Sequence, residues 1–417
     1  MSARELLRIA EEGVERFVAE LAHLVDRDSG TWEAAGVEEV AHWSAGRLAG
    51  LGFDVEVLPL GPVDGGAIGP AVLARRPVRP AGGGAAASGG PRVLLLAHMD
   101  TVFPPGTAAA RPFRVDGRRA LGPGVTDDKA GLLAGLHAVE VLDAAGCPGP
   151  GELVVLLTPD EEVGAPGSRS LIEREAAAAD VVLCLECARE NGDLVAARKG
   201  AADVTVTVRG RAAHAGVERE RGANAAVAAA HLVVGLEALH GWRRGVGVNV
   251  GVVRGGTRPN VVCEEAVVEL EVRATTSADL LATLDAVDAA AATASAAVPG
   301  TSTDVRRHDV TPPLERTPAT EALVAAARAV AQELGFDVAA AATGGVSDAN
   351  VAAALGTPTL DGLGPVGGGD HGPHEWLDLD SIAPRVALLA GLVARLTAAP
   401  PAPPAPPRPG PSPLEAS

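Results

Sequence analysis

The sequence predicts an α/β protein with a mixed sheet flanked by helices and with a smaller, inserted ferredoxin-like α+β module. In the first part of the chain, short and nearly continuous apolar runs alternate with helical patterns, as expected for strands covered on both faces. From about Gly200 the order becomes strand, helix, strand, strand, helix, strand, which is that of the ferredoxin-like unit. The chain also has 417 residues, more than one core usually holds, so two domains are expected.

The larger domain begins with helices. Apolar residues at helical spacing predict an amphipathic helix over residues 4–25, and a second helix follows at 37–51. Strands are then predicted at 55–60, 72–74, 92–97, 152–158 and 180–185, with a further helix at 129–144. Residues 318–396 return to helical and α/β patterning and are expected to complete this domain.

The inserted module has strands predicted at residues 203–209, 246–253, 266–273 and 303–308 and helices at 223–239 and 278–297. The expected domain limits are therefore 1–199 and 312–397 for the larger domain and 200–311 for the module.

Two stretches lack the composition of a core. Residues 78–91 are rich in Gly and Ala, which indicates a flexible surface insertion between two strands. Residues 398–417 form a Pro-rich tail that we expect to be disordered or polyproline II. A proline-binding partner is an alternative for the tail, but its composition supports only the general assignment.

Charge and cysteine content narrow the class of protein. A formal charge of -18 argues against nucleic acid and anionic membranes as partners, because both require a basic surface. The charged first residues lack a signal-peptide core, and no run reaches the roughly 20 uncharged residues of a membrane span. Four cysteines do not suggest a disulfide framework. We therefore expect a cytoplasmic protein that acts on a small molecule.

Acidic and imidazole side chains cluster where predicted strands end. His98 follows one strand, Glu161 and Glu162 follow another, and Glu186 follows a third, while Asp127 precedes the helix at 129–144. Ligands bind in the crevice beyond the carboxyl ends of such strands. Any one of these acids alone would be interpreted as solvated surface. Together they would repel one another unless a divalent cation held them, so the set predicts a metal centre for zinc or a similar ion.

Three stretches around these residues resemble one enzyme family. They are residues 98–104, the pair 111–113 and 122–129, and residues 160–162 with Gly164, Gly167 and Ser168. The chain resembles the di-zinc exopeptidases from about residue 3 to residue 396. That family includes bacterial glutamate carboxypeptidase, aminoacylase, acetylornithine deacetylase and succinyl-diaminopimelate desuccinylase. The likeness is closest to the glutamate carboxypeptidase branch, through residues 98–129.

The resemblance implies a role for each residue of the centre. Asp127 would bridge two Zn2+ ions, for which Co2+ or Mn2+ could substitute. His98 and Glu186 would complete one site, and Glu162 and His371 the other. Asp100 would accept the second N–H of His98 and fix its tautomer. Glu161 would remain free of metal and act as the general base.

Two of these assignments have competitors in the sequence. His374 lies close enough to His371 to replace it, although His371 matches the family spacing to Glu375. Glu186 lies between Cys184 and Cys187, and such a pair can bind zinc. A structural zinc site would ordinarily need a second pair, so buried thiols are the preferred interpretation.

The inserted module supplies the remaining candidates. The segment 210–216 resembles the lid motif of the family, whose histidine reaches the active site of the other subunit, so His214 would contact the substrate carbonyl of a homodimeric enzyme. Asn249 and Arg273 occupy positions of substrate contacts, and the planar fork of an arginine suits a carboxylate. An ordinary loop histidine and a surface arginine are the alternatives. Residues 344–350 resemble the substrate-side loop of the family.

The sequence thus predicts a zinc metallopeptidase or amidohydrolase that cleaves an amide bond next to a free carboxylate, as a glutamate carboxypeptidase-like exopeptidase does. Its substrate would be a small N-acyl amino acid or peptide. The first alternative is an N-acyl amino acid deacylase with the same metal chemistry. The second is a silent binding protein of the same fold, against which the free base Glu161 counts.

Overall fold

The computed structural model describes residues 2–77, 90–147 and 149–398, which divide into two units, each with its own hydrophobic core. Unit 1 comprises residues up to 196, 316–342 and those from 347 onward, and unit 2 comprises 197–315 and 343–346. Residues 78–89 of the expected insertion lie outside the described residues. So does the expected tail, apart from Ala398.

The main sheet of unit 1 has, among the described residues, six strands in the order β1-β2-β6-β3-β7-β14. The first three pair antiparallel and the last four pair parallel, so the sheet is mixed. Its central strands are buried apolar runs that need cover on both faces. The strands are β1 (Asp54–Leu58), β2 (Ala71–Pro77), β3 (Arg92–His98), β6 (Glu152–Thr158), β7 (Val181–Cys184) and β14 (Thr359–Leu360).

Helices supply that cover. The apolar stripe of α1 (Ala3–Val25), with Phe17 and Leu21 fully buried, packs against α4 (Lys129–Ala144) and α10 (Ile382–Ala398). Ser2 caps α1 by accepting the N–H of Glu5. The remaining helices of unit 1 are α2 (Ala34–Gly50), the single turn α3 (Thr107–Ala110), α5 (Arg169–Ala178), α8 (Pro318–Leu334) and α9 (Asp348–Ala354).

Further short strands lie outside the two larger sheets. Four of them form a small antiparallel sheet in the order β15 (Gly367–Gly368), β16 (Trp376–Asp378), β5 (Arg119–Leu121) and β4 (Arg114–Asp116). Two others, β8 (Leu194–Arg198) and β13 (Ala340–Thr343), pair with each other. None of these strands was predicted from the sequence, because a strand of two to five residues shows too little alternation to be recognised.

Unit 2 is a ferredoxin-like α+β module. Its described strands form an antiparallel sheet in the order β10-β11-β9-β12, and α6 (Ala225–Glu237) and α7 (Ser277–Ala297) pack on it. The strands alternate in burial, with Val204, Val206 and Val208 facing the helices. They are β9 (Gly200–Arg209), β10 (Gly247–Gly255), β11 (Glu265–Ala274) and β12 (Ser302–Thr311). The predicted fold class is confirmed in both units.

In the part of the chain that the structure describes, two helices are long and apolar enough to cross a membrane by length and composition, Ser277–Ala297 and Leu379–Ala398. Most of the second is buried in the core of unit 1, and Leu280, Leu284 and Val287 of the first are buried in the core of unit 2. A core helix passes the same test, so both are weak evidence for a membrane span.

Candidate metal centre

Three parallel strands bring the predicted ligands to one edge of the main sheet. His98 is the last residue of β3. Glu161 and Glu162 open the 3-10 helix Glu161–Val163 just after β6, and Glu186 follows β7 by two residues. Because β6, β3 and β7 are adjacent and parallel, their carboxyl ends coincide. This shared edge is where the sequence predicts that these residues meet.

Asp127 lies between two histidines and turns one carboxylate oxygen to each. The Nε2 atom of His98 is 2.9 Å from Oδ1 of Asp127 and 3.6 Å from Oε1 of Glu186. On the other side, Nε2 of His371 is 3.2 Å from Oδ2 of Asp127 and 3.1 Å from Oε2 of Glu162. One carboxylate therefore faces two separate sets of donors. Of the two competing histidines, His371 and His374, it is His371 that contacts Asp127. The backbone of His371 adopts the left-handed conformation, with φ of 61°.

The donor set fits divalent cations. Ligand atoms of His98, Glu161 and Glu186 lie within 4.8 Å of one another, and so do those of His98, Asp127 and Glu162. Imidazole and carboxylate donors at such spacing are those that zinc and its neighbours bind. Burial, and then the charge of Glu186, raise the pKa of Glu161 well above its ordinary value. Burial likewise raises the pKa of Glu162. Bound cations would stabilise the ionised form of both carboxylates and so oppose these increases in pKa.

Asp100 connects the ligand His98 to the pair of glutamates. The Nδ1 atom of His98 lies 3.1 Å from the carbonyl oxygen of Asp100 and 3.3 Å from its Oδ1. The carboxylate of Asp100 accepts the main-chain N–H of Glu161 at 3.2 Å and that of Glu162 at 3.3 Å. Asp100 therefore fixes the His98 ring and the start of the glutamate turn at the same time.

Three buried acids around the centre were not singled out from the sequence. Glu375 accepts the main-chain N–H groups of Gly124, Thr126 and Asp127 at 2.8, 2.9 and 3.1 Å, so it holds the loop that carries Asp127. Asp128 accepts the main-chain N–H of His98 at 3.3 Å.

The third acid, Asp348, accepts the hydroxyl of Thr158 at 2.7 Å. Burial raises the pKa of Glu375 and of Asp348 to about 7 in each case. An acidic residue in a loop usually indicates solvated surface, and burial depends on long-range packing. The available signals were therefore slight: Glu375 lies four residues after His371, and Asp348 lies in the loop 344–350.

The candidate substrate-contacting residues of the inserted module, His214, Asn249 and Arg273, lie in unit 2. His214 forms an isolated β-bridge with Val261, and its Nδ1 accepts the N–H of Gly216 at 3.2 Å. Asn249 lies on β10 opposite Glu271 of β11.

Arg273 lies on β11, and its guanidinium already makes three hydrogen bonds. It binds Glu271 through Nε at 2.8 Å and Nη2 at 2.6 Å, and Nη1 donates to the carbonyl of Gly344. A substrate carboxylate would have to share Arg273 with Glu271. The loop 344–350 contributes residues to both units and ends in a capping box, in which Ser347 and Asn350 begin α9.

Cys184 and Cys187 are buried and form no disulfide, as expected for buried thiols. Burial raises the pKa of both thiols well above the ordinary value. The Sγ atom of Cys187 donates to Oδ2 of Asp370 at 3.8 Å, which links the loop of Glu186 to that of His371.

Comparison with known proteins assigns the chain to a family. Residues 94–395 match the model of Peptidase family M20/M25/M40. The chain belongs to this family. The M20 family consists of metal-dependent hydrolases, so the predictions of the family and of a hydrolytic metalloenzyme are confirmed.

Individual relatives agree with the assignment. Carboxypeptidase G2 of Pseudomonas sp. (strain RS-16) is 31% identical over 94% of this chain and 92% of its own length. A succinyl-diaminopimelate desuccinylase of Paracidovorax citrulli is 37% identical over 46% of this chain and 49% of its own length. Among solved structures, the aminopeptidase PepT of Bacillus cereus superposes with a TM-score of 0.77 at 26% identity, covering 92% of this chain and 98% of its own.

Proposed function

We propose that this M20 enzyme is a di-zinc hydrolase that cleaves an amide bond next to a free carboxylate, as a glutamate carboxypeptidase-like exopeptidase. The observation that carries the proposal is the position of Asp127, with Oδ1 2.9 Å from His98 and Oδ2 3.2 Å from His371. A carboxylate that faces two donor sets from its two oxygens is suited to join two cations. The carboxypeptidase relative, similar over nearly the whole chain, supports the choice of reaction.

Each cation would have its own ligands besides the shared Asp127. His98 and Glu186 would hold one, and Glu162 and His371 would hold the other. When bound, the two ions would polarise the scissile carbonyl and stabilise negative charge on its oxygen. Zinc suits this donor set, and Co2+ or Mn2+ could serve in its place.

Glu161 is the proposed general base. Its side chain lies within the cluster of His98 and Glu186. Among the residues that the structure describes, no donor is hydrogen-bonded to its carboxylate, whereas Glu162 contacts His371 at 3.1 Å. A carboxylate without such a partner can take a proton from the attacking water and deliver it to the leaving amine. Asp100 supports this role by fixing the main chain of Glu161.

Unit 2 would act as the lid and dimerisation domain. His214 of one subunit would contact the substrate carbonyl bound by the other, and Asn249 and Arg273 would contact the rest of the substrate. Arg273 keeps two N–H groups beyond those that bind Glu271 and Gly344, which is the number a carboxylate needs. A homodimer and a cytoplasmic location stay predictions.

An N-acyl amino acid deacylase is the second candidate, because a desuccinylase is also among the relatives. The two functions share the metal chemistry and differ in the group that is released. The enzyme reconstituted with Zn2+, Co2+ or Mn2+ should be assayed on C-terminal glutamate conjugates and on a panel of N-acyl amino acids. Preferred release of glutamate would support the carboxypeptidase.

The requirement for a carboxylate has its own test. Each cleaved substrate should be compared with the same compound in which the carboxylate next to the scissile bond is amidated. We expect amidation to abolish turnover. If the amide were cleaved as fast as the acid, the protein would be an aminopeptidase or a general amidase instead.

A further inference from the structure

We propose that a cavity beside Glu162, named here the acyl pocket, binds an uncharged, apolar acyl group of the substrate. This inference rests on the proposed function and adds the chemical class of the group on the acyl side of the scissile bond. The acyl pocket has a volume of about 340 Å³ and lies within unit 1. It is lined by residues 30–33, 101–105, 162 and 163.

The lining is apolar and exposed. Trp32 has 51% of its surface exposed and Val102 has 40%, and Phe103, Pro104 and Pro105 continue the wall. Aromatic residues are only 2% of the chain, so two of them at one small cavity is a marked concentration. Exposed apolar groups that meet in a concave site gain free energy when a ligand covers them.

The two loops that form the acyl pocket are joined by main-chain hydrogen bonds. Thr31 donates to the carbonyl of Thr101 at 3.2 Å, and Thr101 donates to that of Ser29 at 2.9 Å. At Gly30 an added Cβ would lie 2.4 Å from the carbonyl oxygen of Phe103, so a side chain there would push the loops apart. The cavity is therefore formed before a substrate binds, which lowers the entropic cost of binding.

The acyl pocket is also tied to the metal centre. The hydroxyl of Thr31 donates to Oδ2 of Asp100 at 2.6 Å, and the same oxygen accepts the main-chain N–H of Glu162 at 3.3 Å. Glu162, a proposed metal ligand, is itself part of the lining. A group in the acyl pocket thus lies next to the position where the scissile carbonyl would be held.

The charge of the lining indicates that the acyl half of the substrate, and not its carboxylate half, binds in the acyl pocket. The charged residues of the lining are Glu33 and Glu162. The charge of Glu162 would be offset by the cation that it is proposed to hold, so Glu33 is the acid that sets the sign of the charge in the acyl pocket. Arg111 stacks over the Phe103 ring at 4.7 Å and donates to the carbonyl of Gly372, and it is not among the lining residues. An anionic group would be repelled, so the carboxylate half of the substrate belongs elsewhere.

Charge and volume also distinguish acyl groups from one another. A succinyl group carries a second carboxylate, which Glu33 of the lining disfavours. An acetyl group would leave most of the cavity unfilled, since a void of about 150 Å³ already accommodates a benzene ring. The group that fits is larger than acetyl, apolar and uncharged.

The test uses three substrates built on whichever amino acid the substrate panel shows to be released fastest. Their acyl groups are acetyl, 4-methylpentanoyl and succinyl, of which the last two have nearly the same shape and differ in charge. We expect kcat/KM for 4-methylpentanoyl to exceed that for acetyl about tenfold or more, since buried methylene groups contribute that much. The kcat/KM for 4-methylpentanoyl should also exceed that for succinyl about tenfold or more.

Two variants assign the preference to the acyl pocket. Trp32→Ala should lower the ratio of kcat/KM for 4-methylpentanoyl over acetyl about tenfold, because it removes one wall. Val102→Lys should raise the ratio of succinyl over 4-methylpentanoyl, because it brings a cation to the lining. Trp242→Ala is the matched control: this tryptophan is 40% exposed but belongs to unit 2, so its loss should change neither ratio.

The outcomes that overturn the proposal are distinct from failure of the proposed function. If no N-acyl amino acid is cleaved with any of the three metals, the proposed function fails. If acetyl or succinyl substrates are cleaved as well as the 4-methylpentanoyl substrate, the acyl pocket is refuted while the function stands. If the preference exists but neither Trp32→Ala nor Val102→Lys alters it in a folded protein, as judged by circular dichroism, the binding site lies elsewhere and the proposal is also refuted.

Discussion

At the scale of residues, two adjacent glutamates have different surroundings. The Glu162 carboxylate lies 3.1 Å from His371, in the second donor set. The Glu161 carboxylate has no hydrogen-bond donor among the described residues, although it lies in the cluster of His98 and Glu186. The proposed division of labour between a ligand and a base follows from this difference.

Glu161→Gln is expected to keep its metal while losing at least about 10² to 10⁴ of its rate, because an amide cannot accept the proton. Metal content measured by plasma mass spectrometry, together with kcat, checks the prediction. Glu162→Gln is the matched change and should lower metal content instead. Loss of metal from Glu161→Gln in proportion to its activity would show that Glu161 is a ligand.

At the scale of elements, one buried carboxylate joins a helix to the main sheet. Glu175 of α5 has 2% of its surface exposed and binds Arg75 of β2 at 2.8 Å and Arg92 of β3 at 2.6 Å. Arg174 adds a third contact at 2.9 Å. These arginines compensate the negative charge of the buried Glu175 carboxylate, and each of them remains partly exposed to water.

Glu175→Gln is expected to lower the free energy of unfolding by about 1–3 kcal/mol, because it leaves the partly exposed arginines without their anion. Chemical denaturation measures the change. Glu173→Gln, on the exposed side of the same helix, should stay within about 0.5 kcal/mol of the wild type. Equal effects of the two substitutions would contradict a role of the buried network.

A second network joins α1 to α2 and α4. Glu20 of α1 lies 2.9 Å from Nε2 of His137 and 3.0 Å from Nε of Arg47, and Arg16 and Glu140 complete the group. Burial raises the pKa of Glu20, but the hydrogen bond of His137 and the charge of Arg47 outweigh it, so the net pKa lies below the ordinary 4.5. A lowered carboxyl pKa contributes stability that is fully present above pH 4.5 and is lost as the pH falls through the folded-state pKa.

Glu20→Gln should therefore cost about 1–3 kcal/mol of unfolding free energy near pH 7, as expected for a charged hydrogen bond. The difference from the wild type should shrink as the pH falls through the folded-state pKa of Glu20, which lies below 4.5, since the wild-type carboxylate then protonates. Denaturation curves from pH 3 to pH 7 check this. Glu15→Gln, exposed on the same helix, is the control, and a Glu20 effect that is the same at every pH would refute the linkage.

At the scale of the whole molecule, the proposed chemistry is divided between two units. The metal ligands and Glu161 lie in unit 1, whereas His214, Asn249 and Arg273 lie in unit 2. If the partner subunit delivers His214, as the family resemblance implies, each complete active site needs two chains.

Mixed dimers test this arrangement. His214→Ala and Glu161→Gln should each be nearly inactive as homodimers, and mixing them after dissociation should restore part of the activity. The restoration is expected because one of the two sites in a mixed dimer would contain both intact groups. A fully active monomer in analytical ultracentrifugation, or mixtures without any gain, would contradict a shared site.

The sequence by itself indicated the longer helices and strands and the candidate residues of the metal centre. Apolar spacing over residues 4–25 predicted α1, and the apolar run 92–97 predicted β3, which ends at His98. Side-chain periodicity is a local property of helices and strands, so it can be recognised in the sequence without knowledge of the tertiary structure. Because parallel strands share one carboxyl edge, strand ends also indicated that His98, Glu161 and Glu186 would meet.

The tertiary structure decided what lies around that centre. Glu375 holds the loop of Asp127 from 248 positions away, and Arg273 is bound to Glu271, a pairing that the sequence did not indicate. The acyl pocket arises where residues 30–33 meet residues 101–105 through main-chain bonds that no side-chain pattern encodes. The physical reason is the same in each case: burial, partner choice and cavity shape depend on contacts between distant segments, whereas the sequence pattern reports only on neighbours along the chain.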